Sequence, residues 1–179
     1  MPLLWMKNVR PMKTEWPAKG TNKAQRIRFT SESAKLLVRD ATYVLLRRFS
    51  AKEEQRRLVA APLCRGRLKA DRVGLENHLN YIHGTLRTID AELAYGLSAL
   101  FNSTLLDRYF RISNGNTQVS ATELRAMRLP AEERIRSIGE AVQTGLDTEP
   151  DLLGFIDSLV ARALDVPPHL CGGQGAASA

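Results

Sequence analysis

No apolar run in this sequence approaches the roughly 20 residues that a membrane span requires. The opening Met1-Pro2-Leu3-Leu4-Trp5 is too short for a signal-peptide core and has no basic segment before it. A cytoplasmic protein without a membrane partner is the expectation. Cysteine is scarce: Cys64 and Cys171 stand far apart with no Cys-x-x-Cys, a pattern that gives neither a disulfide framework nor a zinc site. Cys64 lies in an apolar, strand-like run and reads as a core thiol. There is no glycine loop of the Walker type, and no Gly-x-Gly-x-x-Gly opens a helix after a strand. Ser50, Ser113 and Ser120 lack a Gly-x-Ser-x-Gly setting. His78 and His83 lie near Glu76, but no His-Glu-x-x-His or other ligand set completes a metal site, so ordinary hydrogen bonding is the plainer role. Internal repeats are absent. Nothing here builds an active site alone.

What the chain does have is size, ordinary composition and an uneven charge. Its 179 residues, 44% hydrophobic and 25% charged, suit a folded protein of one domain, or one domain with a short helical appendage. Residues 1–89 hold 19 lysines and arginines against 7 acids, a net of +12. Residues 90–179 hold 7 against 12, a net of −5. A basic half joined to an acidic half points to a polyanionic partner for the first and packing or interaction for the second.

The pattern changes character once along the chain. Arg26-Ile27-Arg28-Phe29-Thr30 alternates as a strand with one wet face would. Tyr43-Val44-Leu45-Leu46 and Leu58-Val59-Ala60-Ala61 are short apolar runs flanked by Arg47-Arg48 and Arg56-Arg57, and Pro62 is expected to end the second. The polar stretch 49–55 between them reads as a hairpin connection or one helical turn. From residue 90 helical spacing takes over. Asp90 caps a helix carrying Leu93, Leu97, Leu100, Phe101 and Leu105, expected to run to Asn114-Gly115. Ser120-x-x-Glu123 is a capping box. One further helix carries Ile135, Ile138, Val142 and Leu146; another, introduced by Thr148-Glu149-Pro150-Asp151, carries Leu152, Ile156, Leu159 and Ala163. The expected fold is α+β: a small antiparallel β-rich module over 1–89 followed by an α-helical C-terminal part over 90–168. The Gly/Ala/Ser-rich tail, 169–179, is expected to be disordered.

The run Asn102-Ser103-Thr104-Leu105-Leu106-Asp107-Arg108-Tyr109-Phe110, continuing into Gly115-Asn116-Thr117-Gln118 and Glu123-Leu124 before Pro130, resembles the C-terminal part of adenine-specific DNA methyltransferases of restriction–modification systems. The blocks Arg47-Arg48-Phe49-Ser50-Ala51-Lys52-Glu53-Glu54, Arg56-Arg57-Leu58-Val59-Ala60 and Glu76-Asn77-His78-Leu79-Asn80-Tyr81-Ile82 are similar to family blocks too, in consistent order over residues 40–130. The resemblance implies duplex DNA as partner and S-adenosylmethionine as cofactor of the full enzyme. It also implies a separate catalytic domain with a Pro-Pro-Tyr motif around the target adenine. This sequence contains no Pro-Pro-Tyr; its one Pro-Pro, Pro167-Pro168, precedes His169. No catalytic or cofactor-binding residue is therefore carried over. The chain is expected to be a C-terminal fragment, a gene remnant, or a specificity subunit working in trans with a catalytic subunit. A non-catalytic RNA-binding or protein-interaction module is the alternative.

Read as a recognition module, Arg47, Arg48, Lys52, Arg56 and Arg57 flank a hairpin able to enter the major groove. Neighbouring strand residues face opposite ways, so about half would reach DNA. Glu53 and Glu54 read as local salt-bridge partners of these arginines. Asn114, Asn116, Thr117 and Gln118 form a loop whose Asn-Gly-Asn after a helix reads first as a turn, with DNA contact through amides able to read adenine as an addition. Trp5 and Trp16 read as packing residues of the N-terminal segment.

Overall fold

The structure, a computed structural model, describes residues 1–50, 54–114 and 118–172. Eight short strands precede five α-helices among these residues: β1 (Leu3–Leu4), β2 (Val9–Arg10), β3 (Lys13–Thr14), β4 (Leu37–Arg39), β5 (Tyr43–Arg47), β6 (Ala60–Leu63), β7 (Arg72–Leu75) and β8 (Leu79–Ile82), then α1 (Ala91–Asn102), α2 (Thr104–Ser113), α3 (Ala121–Ala126), α4 (Glu132–Gly145) and α5 (Leu152–Leu164). The fold is α+β, and the change from strand to helix falls between Ile82 and Ala91.

The centre is an antiparallel sheet in the order β6-β5-β8. Alternate residues of β5 serve two different cores, which is why Tyr43-Val44-Leu45-Leu46 is apolar at every position rather than at every second one. Val44, Leu46 and Ala60 join α1, α4 and α5 side chains, including Leu100, Phe101, Ile138 and Ile156. Tyr43, Leu45, Ala61 and Leu63 join Leu4, Val9 and Val73 on the opposite face. A second sheet, β1-β7-β4, pairs β1 with β7 in parallel and β4 with β7 antiparallel, and β2 and β3 make a separate hairpin. No helix among the described residues is long and apolar enough to cross a membrane.

Four local expectations are corrected. Arg26–Thr30 is not a strand: it makes one bridge, Arg26 to Pro2, and Phe29 is left 52% exposed, because only one side of the segment finds a partner. Pro62 does not end the apolar run but lies inside β6, opposite Val44. β6 is an edge strand, and the Pro62 carbonyl turns away from β5 to accept the Thr14 hydroxyl at 3.0 Å. The missing N–H falls on that same outer side and costs no ladder bond. The helix expected from Asp90 to Asn114 is two helices. Ser103 breaks it in an extended conformation (φ −72°, ψ 147°), receiving Leu106 N–H at its hydroxyl while donating to Leu100 C=O. Lastly, the C-terminal segment is ordered through residue 172. Pro168–Cys171 form a 3-10 turn with Cys171 buried; residues 173–179 lie outside the described residues. The caps at Asp90, Ser120 with Glu123, and Asp151 are all formed.

α1 and α4 touch backbone to backbone. A Cβ on Gly96 would lie 1.9 Å from the Ile135 carbonyl oxygen, and one on Gly139 would lie 2.0 Å from that of Glu92. Only hydrogen at both positions allows this approach.

Candidate nucleic-acid interface

The β5–β6 hairpin carries the arginines singled out in the sequence, and its far end is tied down from three directions. Arg47 closes β5. Its Nε donates to the Val9 carbonyl at 2.8 Å, and its guanidinium lies 3.8 Å from Glu54, the local ion pair expected for that acid. Burial lowers its pKa from the ordinary arginine value, with Glu54 opposing the shift. Arg56 is turned inward even further. It donates to the Asn102 carbonyl at 2.5 Å and to the Thr104 hydroxyl at 3.0 Å, and faces Asp157 at 3.7 Å with only 16% of its side chain exposed. Arg57 reaches Ser50 through its guanidinium, at 3.3 Å to the hydroxyl and 3.4 Å to the carbonyl. Arg47 and Arg56 therefore hold the hairpin to the rest of the fold.

Arg48 is placed differently. Its backbone N–H donates to His78 C=O and its own C=O receives Val119 N–H, so residues 118–119 are added to the hairpin end beside β8. Phe49 and Gln118 form an antiparallel bridge there. The Gln118 amide abuts the Arg48 guanidinium, and with the amide turned so that its oxygen faces the cation it receives Nε at 3.0 Å and a terminal N–H at 2.9 Å. The Phe49 ring packs edge-on to His78 at 5.3 Å, and the Arg48 guanidinium lies 5.9 Å from that ring. His78 pairs with Glu76 through Nδ1. Two segments remote in sequence thus converge on one half-exposed polar and aromatic patch. Asn114 closes α2, donating from its amide to Phe110 C=O at 3.2 Å. Lys52, Asn116 and Thr117 lie outside the described residues.

The polar residues of the Asn102–Phe110 run turn out to fasten this hairpin. Asn102 exchanges hydrogen bonds with the Ala60 backbone, and Asp107 receives the N–H groups of Arg57 at 2.6 Å and Leu58 at 2.9 Å. Asp107 also takes Arg111 at 2.7 Å, whose guanidinium reaches on to Gln55 C=O. Asn102 and Asp107 are buried and satisfied, as a polar group inside a fold must be. The N-terminal tryptophans pack likewise. Trp5 and Trp16 donate their indole N–H to Ala24 and Gln25 carbonyls, with Lys23 and Arg26 over their rings.

The densest positive charge in the sequence lies outside the β5–β6 arginines. Arg65-Gly66-Arg67-Leu68-Lys69-Ala70-Asp71-Arg72 carries four cations and one acid in eight residues. Its signal is net charge over a short window, not paired arginines beside an apolar run. Across β4 and β7, Arg72 stands directly opposite Arg39, a like-charge pair that stands against stability in a sheet.

No family model matches the chain, and no solved structure matches it. Among proteins that do match is the Type II methyltransferase M.PstI of Providencia stuartii, 39% identical over 145 residues, which are 81% of this chain and 29% of that protein. Another is the Type II methyltransferase M.BsuBI of Bacillus subtilis, 47% identical over 108 residues, 60% of this chain and 22% of that protein. The chain is related to Type II methyltransferases and spans about a quarter of the length of these curated relatives.

Proposed function

We propose that this chain is the DNA-sequence-recognition portion of a site-specific adenine methyltransferase of a restriction–modification system. Methyl transfer then belongs to a catalytic domain or subunit that binds S-adenosylmethionine. The observation that carries the reading is kinship with a limited part of Type II methyltransferases in a chain whose first 89 residues hold a net charge of +12. Cations neutralise phosphates and fix register on the duplex, while amide and guanidinium groups distinguish base edges. The Arg48–Gln118 unit at the hairpin end is the candidate for the second task. Held as a pair, it presents donors in a fixed plane, as bidentate readout of a purine edge requires.

Among the described residues, those lining the cleft between β8 and α3 do not fit S-adenosylmethionine. The cleft of about 570 Å³ between β8 and α3 has the right size and an aromatic and apolar lining with Tyr81, Phe101 and Met127, but no carboxylate among its lining residues to take a ribose. No transfer step is assigned to these residues.

Fluorescence anisotropy with a labelled duplex, against an RNA hairpin of equal length, tests the reading. Duplex binding should fall steeply with salt, by roughly 0.9 log units per phosphate contact per tenfold salt. Gln118→Ala should reduce discrimination between duplex sequences while leaving that slope in place. Salt-independent binding or a preference for RNA would overturn the proposal. Saturable micromolar binding of S-adenosylmethionine in a calorimetric titration would overturn the assignment of the cofactor elsewhere.

A further inference from the structure

The turn after β6 is basic and firmly held. Gly66 N–H donates to the Asp40 carboxylate at 2.8 Å and Arg65 N–H to the Thr42 hydroxyl at 3.3 Å, while Arg67 and Lys69 N–H close back on Cys64 and Gly66 carbonyls at 3.1 Å each. Leu68 packs against the second core, fixing the turn from beneath. Lys69 adopts φ +49°, a left-handed conformation that disfavours a residue with a Cβ. Lysine stands where glycine or asparagine would fit with less strain.

Opposite this turn runs the segment after β3, and between them lies a cleft of about 500 Å³. Lys13 and Lys19 come from one wall, Arg67 and Lys69 from the other, with Trp16 and Leu68 as apolar surface. The one carboxylate lining it, Glu15, is already engaged by Arg10 at 3.1 Å and Lys13 at 3.3 Å, and these cations hold its pKa below the usual value. Lys19, Arg67 and Lys69 have no carboxylate within 4.0 Å among the described residues. Asp147 faces Arg67 only from the adjoining cleft beside Tyr95.

We infer that this cleft seats the phosphodiester backbone of duplex DNA, with Lys19, Arg67 and Lys69 as phosphate contacts. The inference rests on the recognition reading above and places the electrostatic contact on a different surface from the β5–β6 arginines. Concave walls carrying one sign of charge raise the local potential for a polyanion. A turn held by four hydrogen bonds from its backbone N–H groups, two to backbone and two to side chains, presents its cations without the ordering cost of a loose loop. Arginines spent inside the fold cannot supply the counterion release that duplex binding needs; these cations can.

The test is the full chain and its R67A/K69A variant, titrated against a labelled duplex from low to moderate salt. The expected result is at least tenfold weaker binding at low salt and a slope reduced by about 1.8, two contacts' worth. Lys69→Gly keeps the left-handed turn without the charge: its melting midpoint should equal or exceed that of the parent while binding weakens. That split is one a merely structural lysine would not show. If the parent binds duplex and both variants bind equally well with the same slope, the cleft is not the contact and the recognition reading stands. If the parent binds no duplex, both readings fall. If the variants lose RNA binding but keep duplex binding, the cleft serves RNA and the inference is overturned.

Discussion

The Asn102 side chain pairs with the Ala60 backbone as a neighbouring strand would. Its Oδ1 receives Ala60 N–H at 3.2 Å and its Nδ2 donates to Ala60 C=O at 2.7 Å. The same Nδ2 donates to Ser98 C=O at 2.7 Å, linking the edge of β6 to the last turn of α1. An edge strand is thereby closed from within the molecule. Asn102→Ala leaves the buried Ala60 N–H without a partner, while the Ala60 C=O keeps the Met12 N–H, and should cost about 1–3 kcal/mol in urea denaturation with little change in the dependence on denaturant.

Arg56 should behave as a structural residue. Arg56→Ala removes donors from Asn102 C=O and Thr104 and leaves Asp157, 9% exposed in its side chain, without its cation. Loss of one partner of a largely buried pair costs about 3 kcal/mol. Melting should show this, while the salt slope of duplex binding measured well below the new midpoint stays that of the parent.

The meeting of α1 and α4 predicts a severe response to small additions. Gly139→Ala drives a methyl to 2.0 Å from the Glu92 carbonyl oxygen, where backbone rather than a flexible side chain must yield. Overpacking of this kind costs about 3 kcal/mol or more. By helix propensity alone the same change would gain about 1 kcal/mol, so the sign of the measured effect separates the two.

Asp90 predicts part of the acid response. The Leu93 N–H first, then Arg136 at 2.8 Å, hold its carboxyl below the ordinary aspartate value. A pKa lowered by folding contributes stability above the unfolded value, about 3.9, that is lost as pH falls through the folded one. Glu132, lowered by Arg136 and Arg87, acts in the same direction. Asp90→Asn keeps a capping oxygen but no titrating charge. Its melting midpoint should match the parent within a few degrees at neutral pH and fall less steeply below about pH 4.

The sequence by itself determined the α+β class, the switch to helix near residue 90, the capping at Asp90, Ser120 and Asp151, and the two runs that became β5 and β6. Each rests on residues within a few positions of one another, where periodicity and side-chain chemistry act locally. The blocks around Asn102–Phe110 also pointed to methyltransferase kinship, and the charge asymmetry to a polyanionic partner. Tertiary structure alone decided which arginine faces where. Arg47 and Arg56 read as surface cations until Val9, Asn102, Thr104 and Asp157, distant in sequence, supply acceptors for them. It likewise decided that Ser103 breaks the helix, that Pro62 lies in a strand edge already covered by Thr14, and that Lys19 and Lys69 share a cleft. Those outcomes depend on which acceptors and neighbours the folded chain brings together, and no local pattern encodes a partner tens of residues away.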